Sequence, residues 1–265
     1  MQFNYYPGCT LSTKAKELDL YARQAADVLG FPLVELEDWQ CCGAVYPMSQ
    51  DAIGERLTSV RALAQAEQKG GTLVTLCSAC YHVIKRVNED IRTKPELTQK
   101  VNTYLQAENI HYTGGTNVVH YLEVLHDTIG FTALAQKVVK PLNRKIGAYY
   151  GCLLLRPNSI MQFDDPENPT IMEDFIRALG GEPVVFEERN ECCGGYVELT
   201  QPALARQRVE QIISDAQREG ATELITACPL CRYNLEANAT VSTLPVFYFT
   251  ELLAEALGIK EVQNG

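Results

Sequence analysis

The stretch Leu73-Val74-Thr75-Leu76-Cys77-Ser78-Ala79-Cys80 runs an apolar, β-branched segment straight into a C-x-x-C pair. Leu224-Ile225-Thr226-Ala227-Cys228-Pro229-Leu230-Cys231 repeats it 151 positions later. Upstream of each copy stands an adjacent cysteine pair followed by glycine, Cys41-Cys42-Gly43 and Cys192-Cys193-Gly194. In both halves 34 residues separate that pair from the C-x-x-C. One further cysteine opens each half, Cys9 and Cys152, and none of the ten falls outside the pattern. Sulfur ligands must stand at fixed points around a metal centre, so a spacing kept twice predicts two related metal sites.

The repeat reaches beyond the cysteines. Leu29-Gly-Phe-Pro-Leu-Val-Glu-Leu-Glu37 resembles Leu179-Gly-Gly-Glu-Pro-Val-Val-Phe-Glu187, and Val118–Leu125 resembles Val246–Leu253. Self-similarity on this scale reads as a duplicated domain, with halves spanning residues 1–143 and 144–265. Short apolar runs predict strands at Phe3–Tyr6, Leu33–Leu36, Leu73–Leu76 and Val118–His120. In the second half they fall at Ile146–Tyr150, Val184–Phe186, Leu224–Thr226 and Val246–Tyr248. Between them, residues 15–29, 54–69, 170–179 and 203–219 carry helical periodicity. Strand–helix alternation predicts an α/β fold, two pseudo-symmetric domains each with a small parallel sheet flanked by helices. Cys9, Cys77, Cys152 and Cys228 then fall just past the carboxyl ends of strands, the edge where open α/β sheets place ligands. Cys80 and Cys231 open the next helices, whose N-termini favour anionic sulfur.

Bulk properties narrow the function. A net charge of −10 argues against a general nucleic-acid surface. No apolar run of about 18 residues exists, so no direct membrane span is expected. The N-terminal residues lack a basic region followed by an apolar stretch, so a cytoplasmic location with reduced thiols is expected. Structural disulfides do not fit that setting. A tetrahedral zinc site or a cubane cluster takes four thiolates, whereas each half offers five. Neighbouring cysteines reach two adjacent atoms of a cluster more readily than one ion, and Gly43 and Gly194 let backbone approach a bulky core. Iron–sulfur binding is the favoured reading, with two zinc sites as the alternative.

The doubled C…CCG…C-x-x-C pattern resembles the CCG-domain family, and the whole chain is similar to the B-type subunits of heterodisulfide reductases. The resemblance is carried also by Tyr6-Pro7-Gly8-Cys9, Ala15-Lys16-Glu17, Gly151-Cys152 and Arg156-Pro157. It implies two [4Fe–4S] clusters of the noncubane form. Cys9, Cys41, Cys42, Cys77 and Cys80 would hold one, and Cys152, Cys192, Cys193, Cys228 and Cys231 the other. It further implies an oxidoreductase acting on a sulfur group. A disulfide, of the coenzyme M–coenzyme B type or a bacterial equivalent, would be reduced to two thiols between the clusters. The implied partners are a ferredoxin-like small subunit with cubane clusters (the C type) and a flavin-containing subunit (the A type). Methanogen members often carry histidine directly after the first cysteine of the second half, and here that position is Leu153. The competing reading is an electron-transfer CCG subunit passing electrons between a dehydrogenase and a quinone or other acceptor.

Among the remaining residues, His82, Lys16 and Arg156 are the candidates for catalytic roles. His82 lies two residues past Cys80, placed to relay protons or simply to pack beside the site. Lys14, Lys16 and Arg156 follow the first cysteine of each half and suit an anionic substrate group or the balance of an anionic cluster. Trp39 is expected to shield a cluster from water. His120 reads as structural, and His111 and His126 as surface residues. No ferredoxin run C-x-x-C-x-x-C-x-x-x-C is present, so electrons are expected from partner subunits.

Overall fold

The apolar runs do become strands. The computed structural model describes residues 1–44, 50–241 and 243–259. In the first half β1 (Phe3–Tyr6), β2 (Leu33–Glu35), β3 (Thr72–Thr75) and β4 (Asn117–His120) form a parallel sheet in the order β2-β1-β3-β4. The second half builds the same sheet from β5 (Lys145–Tyr149), β6 (Glu182–Val184), β7 (Glu223–Thr226) and β8 (Val246–Tyr248), in the order β6-β5-β7-β8. All four residues of β7 are buried, as expected of a parallel strand covered on both faces.

The expected α/β architecture with two like halves is what the chain adopts. The amphipathic stretches form helices Lys16–Leu29, Gly54–Gln68, Ile171–Ala178 and Pro202–Arg218. One strand differs from expectation: β6 runs Glu182–Val184 rather than Val184–Phe186. Its register pairs Gly147 with Val184; beyond that Val185 faces outward and Phe186 turns into the core.

Register also fixes how the halves correspond. Tyr6 pairs with Thr75 in β3, and Tyr149 with Thr226 in β7. Thr75 and Thr226 are 151 positions apart, so Tyr6 matches Tyr149, Gly8 matches Gly151 and Cys9 matches Cys152.

One hydrophobic cluster draws on both halves, and a second lies within the second half. Within the shared cluster the Phe249 ring lies 5.8 Å from His120, 5.8 Å from Tyr121 and 6.1 Å from Phe175. Each such aromatic pair contributes about 0.5–1.5 kcal/mol beyond the area it buries. Helix Phe249–Ala256 packs on helix Lys16–Leu29 of the other half, and Thr250 Oγ1 donates to the Leu18 carbonyl at 3.0 Å. The two sheets are therefore locked together, which fixes the geometry between their carboxyl edges.

Candidate functional site

Both sheets present their cysteines at one edge. In the order β2-β1-β3-β4 the chain leaves β1 towards β2 and leaves β3 towards β4, so a crevice opens between the carboxyl ends of β1 and β3. Cys9 follows β1 there. Cys77 follows β3 as the residue before helix Ser78–Thr93, in which Cys80 is the third residue. Cys152, Cys228 and Cys231 take the matching places around β5, β7 and helix Pro229–Asn238.

All ten thiols are free, and each set of five closes on itself. The Cys41 and Cys9 sulfurs are 3.6 Å apart, and those of Cys42 and Cys80 are 3.5 Å apart. In the second set the Cys193 and Cys231 sulfurs are 3.5 Å apart, and Cys192 bonds both Cys152 and Cys193. The approach is close enough to exclude side chains. A Cβ on Gly8 would stand 2.7 Å from Cys80 Sγ, and one on Gly151 3.2 Å from Cys231 Sγ. Gly43 and Gly194 have φ of 86° and 82°, so left-handed backbone is the reason for glycine at these two positions.

Two thiolates 3.5 Å apart repel by roughly 5 kcal/mol at an effective dielectric of 20, so five cannot ionise together without a cation. Protons are accordingly shared unequally. Hydrogen bonds from Cys41 and Cys80 pull Cys42 down to about 3, and those from Cys152 and Cys193 pull Cys192 down to about 2. The donors respond in the other direction: Cys193 is held at about 11, chiefly by its bond to Cys192, and Cys41, Cys80, Cys152 and Cys231 are all raised. Soft thiolates in this number suit iron–sulfur or zinc chemistry. A single tetrahedral ion uses four thiolates and would leave one of the five over in each set. The donor set fits a multi-iron cluster. Each site has a closed wall and an open rim, for Cys42, Cys77 and Cys80 are buried while Cys9 and Cys41 are exposed. In the second set Cys193, Cys228 and Cys231 are buried and Cys192 is exposed.

Several residues that sequence reasoning passed over hold these loops. The Tyr6 hydroxyl donates to the Gln40 carbonyl at 2.6 Å, and the Tyr149 hydroxyl to the Glu191 carbonyl at 2.7 Å. Gln40 and Glu191 immediately precede the two cysteine pairs, so the same tyrosine pins the same loop twice. The signal was present, as a tyrosine three residues before each opening cysteine. Asn234 donates to the Cys193 carbonyl at 2.7 Å. Arg208 reaches the Cys192 carbonyl at 3.4 Å and favours its thiolate.

The two sites face each other. Ser78 donates from both its backbone N–H (3.1 Å) and its hydroxyl (2.7 Å) to the Ala227 carbonyl, so the residue after Cys77 binds the residue before Cys228. Tyr196 joins the two cysteine-pair loops directly, its hydroxyl donating to the Ala44 carbonyl at 2.9 Å. Burial holds the Tyr196 hydroxyl protonated, and Cys228, Cys152, Cys77 and Cys42 reinforce it from both sets. Nothing local in the sequence marks this residue.

The three candidate catalytic residues stand in different surroundings. His82 is buried, with Nδ1 3.3 Å from the Leu153 carbonyl and Nε2 3.1 Å from Arg86 Nη1. Burial, then the Arg86 charge, pushes it down to about 4, so the ring is neutral at pH 7. Arg156 donates to the Asn190 carbonyl at 2.7 Å and lies 3.6 Å from Glu167 and 3.8 Å from Glu191, beside the loop that carries Cys192. Lys16 is exposed at the start of its helix. Trp39 packs edge-on against Tyr6 at 5.3 Å. His120 is fully buried with Nε2 2.8 Å from the Leu76 carbonyl, while His111 and His126 are exposed.

Among the described residues no helix is long and apolar enough to cross a membrane.

The family profile described as "CCG: Cysteine-rich domain" matches residues 3–85 and 146–236. The membrane anchor subunit of 8-methylmenaquinol:fumarate reductase from Wolinella succinogenes is 33% identical over 100% of this chain and 95% of its own. The B subunit of the ferredoxin/F(420)H(2)-dependent CoB-CoM heterodisulfide reductase from Methanosarcina acetivorans is 25% identical over 100% of this chain and 92% of its own. A crystal structure of a hypothetical protein from Helicobacter pylori matches with a TM-score of 0.77 at 14% identity, covering 98% of this chain and 49% of that one, and so shares the fold. The chain belongs to the cysteine-rich CCG domain family, and its resemblance to the B-type subunits of heterodisulfide reductases is borne out over its full length.

Proposed function

We propose that this member of the CCG family is the disulfide-reducing subunit of a heterodisulfide reductase-like complex. It would take one disulfide, two electrons and two protons to two thiols, with a coenzyme M–coenzyme B type disulfide or a bacterial equivalent as substrate. The observation that carries this reading is the pair of five-cysteine sites held face to face by Ser78 and Tyr196. When bound, two [4Fe–4S] clusters of the noncubane form would supply one electron each and a seat for each sulfur. Cys9, Cys41, Cys42, Cys77 and Cys80 would hold the first and Cys152, Cys192, Cys193, Cys228 and Cys231 the second, with the halves divided between residues 143 and 144. His82, neutral and hydrogen-bonded on both ring nitrogens, would serve as a proton relay rather than a charged donor. Arg156 and Lys16 would offset anionic charge. Electrons would enter from a ferredoxin-like small subunit of the C type, itself supplied by a flavin-containing partner of the A type, in the cytoplasm.

The test is EPR of the anaerobically purified, oxidised protein titrated with thiols. A paramagnetic signal that shifts with a thiol supports the reading; a signal indifferent to every thiol removes it. The Wolinella relative favours a second reading, an electron-transfer subunit linked to a quinone pool. In that case a menaquinol analogue reduces the centres and thiols leave their spectrum unchanged.

A further inference from the structure

We infer that the two cysteine sites are tuned apart in reduction potential, and that Asn234 and Arg208, as positioning residues on the second cysteine pair, make the second site the better electron acceptor. The inference rests on the cluster-holding part of the proposed function and goes beyond it.

The backbone treats the two sites alike. In both loops the N–H groups after the cysteine pair bond the pair's sulfurs. Gly43 bonds Cys41 and Gly194 bonds Cys192; Ala44 bonds Cys42 and Gly195 bonds Cys193. Each loop also hangs from a tyrosine hydroxyl, Tyr6 or Tyr149. These bonds match, so they cancel in any comparison of the two centres. What remains are side chains that one half has and the other lacks, at positions 151 apart.

The main difference is buried. Asn234 donates to the Cys193 carbonyl at 2.7 Å, and its own side-chain oxygen accepts the Asn238 amide at 2.7 Å. Asn238 stands one turn further along helix Pro229–Asn238, so it fixes which way the Asn234 amide points. The first half has Val83 and Val87 at these places, both fully buried, and neither can donate a hydrogen bond. The fold is therefore satisfied by two valines, and packing does not require the amides. Away from water, an N–H aimed at the peptide that carries a ligand sulfur draws negative charge from it. The bond strengthens when the centre gains an electron, so it raises the potential.

Arg208 adds to it. Its Nε reaches the Cys192 carbonyl at 3.4 Å from helix Pro202–Arg218, and its counterpart in the first half is Leu57. The guanidinium is part-buried, whereas Lys14 and Lys16, which follow Cys9, are exposed and screened by water. Two carboxylates oppose the charge. Glu188 accepts Arg208 Nη2 at 2.6 Å, and Glu191 precedes Cys192 but lies 3.8 Å from Arg156. They trim the charge effect and leave both donors in place. Cys152 is less exposed than Cys9, which also opposes the shift, but at one rim thiol, while Asn234 acts from the closed wall on a buried one. An electron given to the chain thus settles at the second site, and the next one reduces the first.

The test is a potentiometric titration of the full chain with its clusters, dithionite as reductant, followed by EPR and visible absorption. Cys42→Ser and Cys193→Ser assign each signal to its site. Two one-electron midpoints are expected, the upper one at the second site. Asn234→Val with Asn238→Val, which copies the first half, should make electron uptake at the second site about tenfold weaker, a fall of about 59 mV, and leave the other midpoint in place. Arg208→Leu should shift the same midpoint in the same direction, with Arg208→Lys closer to the wild type, and it decides alone where the buried double variant loses iron. One shared midpoint, an upper midpoint at the first site, or an upper midpoint that the variants leave unmoved at wild-type iron overturns the tuning and keeps the clusters. A chain that takes up no iron overturns the cluster reading and the tuning together. Midpoints that shift as expected in centres indifferent to every thiol keep the tuning and remove the disulfide reading.

Discussion

The Tyr248 hydroxyl lies 2.5 Å from the carbonyl oxygen of Leu76, in the opposite half of the chain, and 3.0 Å from that of Ala227 in its own. Leu76 and Ala227 are counterparts, each the residue before the first cysteine of a C-x-x-C. One buried hydroxyl thus ties the two sites at the pseudo-two-fold axis. The need for it is visible in the sequence of the helix starts. Ser78 gives its N–H to Ala227, but its counterpart Pro229 has no N–H to return to Leu76.

Tyr248→Phe should therefore destabilise the protein by about 1–3 kcal/mol, the cost of a buried hydrogen bond removed from one side. Thermal unfolding should register this as a drop of about 2–4 °C per kcal/mol. Iron per chain should stay at the wild-type value, since His120 still donates to Leu76 and Ser78 to Ala227.

The two glycines against sulfur should differ in tolerance. Gly8→Ala sets a methyl 2.7 Å from Cys80 Sγ at φ 78°, and Gly151→Ala sets one 3.2 Å from Cys231 Sγ at φ 64°. Both positions have positive φ, and Gly8, with ψ of 165°, sits in a region open essentially to glycine alone, a strain of about 1–3 kcal/mol. The first contact forces the sulfur to move outright, the second only by a few tenths of an ångström. Iron analysis should show Gly8→Ala losing the iron of one site and Gly151→Ala retaining most of its own. Equal retention in both would contradict the geometry.

Single-site variants separate two-centre chemistry from a relay. Cys42→Ser and Cys193→Ser each remove one buried thiol from a different set. With one electron drawn from each site, either change should lower viologen-driven disulfide reduction by about a hundredfold or more, a barrier increase of roughly 2.7 kcal/mol. Each variant should keep the EPR signal of the untouched site.

His120 gives the fold an acid-sensitive element. Burial pushes its imidazole down to about 3, against an ordinary value of 6.5. Between those values the unfolded chain binds a proton that the native chain does not. Stability is therefore full above pH 6.5 and falls as the pH drops through this window, by up to about 1.4 kcal/mol per unit. Urea unfolding at pH 7 and pH 5 should show a shallower loss for His120→Gln than for the wild type.

Much of this was legible without coordinates. Each of the eight strands falls within two residues of its expected position, because parallel strands buried on both faces read as short apolar runs between turn signals. The cysteine spacing placed both sites at the carboxyl edges, since a β-strand feeding a helix leaves few positions for a ligand at that turn. Tyr6 and Tyr149 could have been read as a pair, but the double tyrosines of each half hid their register. Only the pairing of Tyr6 with Thr75 and of Tyr149 with Thr226 settled it.

The sequence alone determined that there are two like halves, five thiols in each, and a sheet edge to gather them, because those facts follow from local periodicity and from a repeat written twice. Tertiary structure decided how the halves meet. It set the Tyr248 bridge across 172 residues and the Ser78 bonds to Ala227 across 149. It filled the groove beside helix Ser78–Thr93 with residues 154–163 and left the matching groove after Cys9 open at Lys14. Patterns of period two and 3.6 describe one element at a time, whereas which groove is filled depends on side chains that meet only when the two halves pack together.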